Sequence, residues 1–129
     1  MLTHIRLCLI LGLWFTTNAS FALKCPPVAL IKAVSFVKTH QEEIDASLWY
    51  LLSEPFSFDN STWNVSFGKF YDDTKSAYAV LVEGRAFFQQ APLKNKHPKP
   101  VWIPHAAVCD YMSEGSEYFI AAVSPPEVR

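Results

Sequence analysis

Apolar side chains recur along this chain in two rhythms. Val28, Ile31, Val34 and Val37 return every third residue, with Lys32 and Lys38 left for solvent. That spacing predicts a helix over 27–40, opened by a proline whose missing N–H is no loss in a first turn. The β-branched residues at 34 and 37 also fit a strand. A polar stretch, 41–47, separates this segment from Leu48-Trp49-Tyr50-Leu51-Leu52, which reads as a strand ended or bulged at Pro55. Phe56-Ser57-Phe58 and Trp63-Asn64-Val65-Ser66-Phe67 alternate on either side of the turn cluster Asp59-Asn60-Ser61-Thr62 and predict a hairpin.

Helical spacing returns at Ala77, Val80, Leu81, Gly84 and Phe88, behind the cap candidates Asp72, Asp73 and Thr74, and predicts a second helix over 74–90. Gly84 on its inner face predicts close approach to a sheet, since glycine in a helix is otherwise about 1 kcal/mol worse than alanine. Pro92, Pro98, Pro100 and Pro104 predict an irregular loop over 91–104. Two further runs, 106–112 and 117–123, flank Ser113-Glu114-Gly115-Ser116 and predict a second hairpin. The order α-β-β-α-β-β implies an α+β fold with two helices packed on one face of a four-stranded antiparallel sheet. In that arrangement Trp63, Val65 and Phe67 face the helices, and Asn64 and Ser66 face solvent.

The first 22 residues carry a different pattern. Arg6 precedes the apolar run Leu7 to Phe15, which at roughly nine residues is far short of the about 20 needed to cross a bilayer. Ser20 and Ala22 place small side chains where a signal peptidase needs them. Residues 1–22 therefore read as a signal peptide cut after Ala22, and 23–129 as a single α+β domain, periplasmic or secreted. Lipid attachment at Cys25 is disfavoured by the bulky Lys24 before it, so no membrane anchor is expected in the mature chain.

Composition narrows the function classes. Half the residues are hydrophobic, 15% are aromatic and 18% are charged, which supports a packed core and excludes disorder. Lys and Arg total 11 against 12 for Asp and Glu, a balance that offers no field for nucleic acid or an anionic membrane. Cys8 leaves with the leader, and Cys25 and Cys109 remain. In an oxidising compartment they read as a disulfide, the alternative being two buried thiols. Closing a loop of roughly 85 residues removes about 4 to 5 kcal/mol of chain entropy from the unfolded state on the loop-entropy argument. Two cysteines this far apart match no zinc pattern.

No catalytic signature is present. The chain lacks G-x-S-x-G, and Ser66 has only hairpin context. Glu42-Glu43 and Asp72-Asp73 lie in polar connections and read as caps rather than acid and base. His40, His97 and His105 lack the i, i+4 spacing of a helical metal face, so no metal site is expected. Asn60-Ser-Thr and Asn64-Val-Ser match the glycosylation triplet and read as turn chemistry. Lys94 to Lys99 reads as a solvated loop, with a contact surface as the alternative. Trp49, Tyr50, Phe56, Phe58, Trp63 and Phe67 concentrate around the first hairpin, and rings left outside the buried face offer a patch for a partner.

The segments CPPVALIKAVSFV, WNVSFG and VCDYMSEGSEYFIAAVSPP resemble a small family of exported bacterial proteins carrying a domain of unknown function, some members of which are described as hemin-binding. The resemblance covers most of the mature chain and implies an exported protein with hemin as a candidate ligand. It transfers no binding residue. Haem iron needs one axial group in an apolar slot, and His105, Tyr111 and Met112, with Trp102 as part of a wall, are the candidate ligand-binding residues. The competing account is that these aromatics are core. The expected function is an exported, non-enzymatic binding domain engaging a protein partner. Hemin or another flat apolar ligand is the first alternative, and a small hydrolase with an unrecognised site the second.

Overall fold

The computed structural model describes residues 23–129; the expected leader, 1–22, lies outside the described residues. The elements run α1 (Val28–Lys32), β1 (Phe36–Gln41), β2 (Leu48–Ser53), β3 (Phe56–Phe58), β4 (Ser61–Phe70), α2 (Ala77–Gln90), β5 (Val101–Ile103), β6 (Ala106–Asp110) and β7 (Tyr118–Ser124). The strands form one antiparallel sheet in the order β1-β2-β4-β7-β6-β5, with β3 paired to the start of β4.

This overturns the expected four-stranded sheet carrying two helices: among the described residues the fold is mostly sheet, with seven strands and two helices. Two segments account for the difference. The apolar period that predicts a helix over 27–40 is helical only through Lys32, and 36–41 is extended. The Val-rich segment packs well on a pleated surface, and pairing with β2 satisfies backbone groups that a longer helix would have left β2 to bury alone. The proline-rich loop contains a three-residue strand, β5, because Pro100 and Pro104 flank it rather than interrupt it.

Both expected hairpins form. The first hairpin pairs Phe56 with Trp63 and Phe58 with Ser61, and the second pairs Cys109 with Ala122. The second helix starts later than expected. Ser76 is its N-cap, accepting from the Ala79 amide at 3.1 Å, while Asp72 closes a separate turn by accepting from the Thr74 amide and hydroxyl. Those bonds hold the Asp72 carboxyl below its ordinary range.

One face of the sheet is covered. Phe36, Phe67 and Phe88 meet at its centre, with ring centroids 4.8 Å apart for Phe36 and Phe88 and 5.6 Å for Phe67 and Phe88. Gly84 is buried, and a Cβ there would lie 2.6 Å from Leu51 Cδ2, so α2 sits as close to β2 as the missing side chain allows. Cys25 and Cys109 form the expected disulfide, with Cα atoms 5.8 Å apart, tying the N-terminal segment to β6; such a bond fits an oxidising, extracellular location. Lys32 Nζ donates to the Phe88 and Ala91 carbonyls at the C-terminal end of α2, the first of which also accepts from the Ala91 amide at 3.3 Å. Partial burial lowers the pKa of that ammonium. No helix among the described residues is long and apolar enough to cross a membrane.

Candidate binding surface

Alternation along each strand sends every second residue to the opposite, helix-free face. Tyr50 and Phe119 both pair with Gly68, and their rings lie 5.1 Å apart beside it. Glycine lets the ring lie there, because a Cβ at residue 68 would fall 2.0 Å from Phe119 Cζ and displace it. Ser66, Ala121, Val123 and Val108 continue this floor toward β6.

The chain after β7 forms the wall. Asn64 Nδ2 donates to the Glu127 carbonyl at 3.0 Å, and the Glu127 amide returns a bond to Asn64 Oδ1 at 2.9 Å. Arg129 lies over the Tyr50 ring at 4.4 Å and pairs with Glu42 and Glu127. Asn64 and Ser66, expected to face solvent, are thus buried: the first takes up the tail and the second lies beneath the groove. The groove measures about 430 Å³ and is lined by Tyr50, Ser66, Val108, Phe119 and Val123, with Ile103 and His105 at one end and Pro126, Glu127 and Arg129 at the other. Burial, reinforced by the Glu42 carboxylate, raises the Tyr50 hydroxyl above its ordinary pKa, so it remains a neutral hydrogen-bonding group at neutral pH.

At the His105 end the groove runs into the β5–β6 hairpin. Ile103 pairs with Ala106 across a two-residue turn, Pro104-His105, in which His105 has φ 78°. Proline fixes the first turn position and the second must be left-handed, a combination that strains any side chain by about 1 kcal/mol or more. Val101, Trp102 and Ile103 are 61%, 62% and 49% exposed, three consecutive large apolar side chains on an edge strand.

The four candidate residues do not share a pocket. Tyr111 is fully buried, its hydroxyl donating to the Pro26 carbonyl, and burial raises its pKa. Met112 is buried in the same core. Trp102 pairs with Ala107 and takes the face of the covered core, whereas His105 lines the groove. Neither His40 nor His97 joins His105 there, and among the described residues no three His, Cys, Asp or Glu side chains gather as a metal site. Sequence reasoning missed Ser66, Phe119, Ala121, Val123 and the tail. The alternation of Phe119 to Val123 carries their shared face, but only knowing where α2 lies tells which face is open.

Comparison with known protein families, with curated proteins and with solved structures finds no match.

Proposed function

We propose that this chain is an exported, non-enzymatic binding domain that engages a protein partner through the β5–β6 hairpin and the groove beside it, acting in the periplasm or outside the cell. The observation that carries this reading is the run Val101-Trp102-Ile103, exposed in succession and continuous through Ile103 with an apolar groove. Burying such side chains is worth about 25 cal/mol per Å² of apolar surface, which is the usual driving force of an interface. The disulfide supports the location.

Selection of small displayed domains against the protein tests it. Selected binders should lose at least about tenfold in affinity to Trp102→Asp, as at an interface hot spot, and be unchanged by Tyr78→Asp on the exposed side of α2. Equal losses at both positions would overturn the reading.

His105 at the rim of the groove favours one second reading, a flat apolar ligand such as hemin. A Soret shift on titration with hemin that disappears in His105→Ala would establish it. A shift that survives that change would remove it.

A further inference from the structure

We propose that the opposite edge of the sheet, β1 with α2 beside it, is a second docking site, which takes an extended acidic peptide segment of a partner protein as an added strand. The two edges differ in what their backbones offer. At β5, the Tyr111 amide donates to the Ile120 carbonyl, which turns the odd-numbered residues of β6 toward β7 and leaves Ala106 and Val108 to bond with Ile103 and Val101. Trp102 therefore points its amide and carbonyl outward. The next outward positions on either side are Pro100 and Pro104, which have no N–H to give. That edge is closed to strand addition, and its exposed side chains are available only for face-on contact.

At β1 no proline intervenes. The Glu42 amide donates to the Leu48 carbonyl at 3.0 Å, which sets the alternation so that His40 bonds to β2 while Thr39 and Gln41 direct their amides and carbonyls outward. Arg85 Nε and Nη2 both donate to the Phe36 carbonyl, beside the bulge between Phe36 and Lys38, so the free stretch ends there. Next to this end lies a cavity of about 470 Å³ between the strand and the helix, with Val34, Phe36, Val82 and Ala86 as apolar walls. A side chain of an added strand can enter it.

Charge selects the peptide. Arg85 is the one charged residue lining that cavity, no carboxylate among the described residues pairs with it, and three of its five N–H groups remain after the bonds to Phe36. Lys38 is exposed on the strand itself. An extended segment with an apolar residue for the cavity and a Glu or Asp for Arg85 matches the outward backbone groups, the apolar walls and the unpaired guanidinium of this edge.

The test uses a fluorescein-labelled dodecapeptide of alternating valine and threonine flanked by glutamates, titrated against the protein and followed by amide shifts. We expect shifts at Thr39 and Gln41. Thr39→Pro, which removes only an outward N–H, should weaken binding about tenfold, and Ala86→Trp, which plugs the cavity from an exposed helix position, should abolish it. Arg85→Gln should weaken binding about fivefold, with the difference shrinking at high salt. Melting curves of each variant show that it is folded. Trp102→Asp should leave the titration unchanged, so failure here and failure of the hairpin as a binding surface are separable. Absence of binding, shifts at Trp102 instead, or indifference to both Ala86→Trp and Arg85→Gln would overturn the proposal.

Discussion

The two faces of the sheet are built by alternate residues of the same strands and have opposite character. Leu51, Phe67 and Ile120 point to α2 and are fully buried among aromatic rings. One residue along, Tyr50, Ser66, Gly68, Phe119 and Ala121 form a shallow floor roofed only in part by the tail. The covered side has large side chains and a covalent tie. On the open side, small residues and one glycine leave room beside the rings that lie over it. The period of two thus places tight packing on one face and an open groove on the other, and changes on one face should be felt differently from changes on the other.

The largest contrast should come from truncating a ring. Phe67→Ala on the covered side should lower unfolding free energy by about 3 to 5 kcal/mol, while Phe119→Ala on the open side should lose about half as much or less, both read from denaturant midpoints. Breaking the tie comes next. Replacing Cys25 and Cys109 by serine should destabilise by about 2 to 5 kcal/mol, and reduction of the native protein should reproduce the loss. A similar loss from Phe119→Ala as from Phe67→Ala would erase the distinction between the faces.

The glycines sharpen it. Gly84→Ala gains about 1 kcal/mol of helix propensity yet drives a methyl into Leu51, so a net loss of about 1 to 2 kcal/mol is expected. Gly68→Ala meets only the half-exposed Phe119 ring, which can swing away; its signature should be a weakened groove ligand rather than a large drop in melting temperature.

The smallest effect concerns Tyr71, whose hydroxyl is buried beside Gly84 without a partner among the described residues. Burial, with Glu83 adding to it, pushes its pKa up to about 12 from an ordinary value of 10.0. The fold prefers the neutral phenol, so its contribution is complete below pH 10 and is lost as pH rises toward 12. Tyr71→Phe should therefore leave neutral stability unchanged or raise it by up to about 1 kcal/mol, and flatten the alkaline slope in urea titrations between those pH values.

Much of the covered face was legible in the chain. Trp63, Val65 and Phe67 declare their shared face by alternation, Gly84 announces the close approach of α2, and Cys25 and Cys109 pair as expected. The edges were not legible. A period of three in 27–40 is compatible with helix, and what makes 36–41 a strand is the unpaired edge of β2, a partner that local spacing cannot show. Prolines at 100 and 104 signal irregularity unless the strand between them is known to lie at an edge. Of the four candidate ligand residues, His105 alone reached the groove: residues 111 and 112 belong to a chain segment whose burial is decided by the disulfide and by the Pro26 carbonyl.

The most direct measurement is photo-crosslinking of the protein in the cells that make it, with the reactive side chain placed at position 102 and, as a control, at position 78, which is more exposed still. A discrete adduct of fixed mass is expected from position 102, absent from position 78 and lost when Ala121→Trp fills the groove. Identical adducts from both positions, or none from position 102 while the protein is folded and exported, would contradict it.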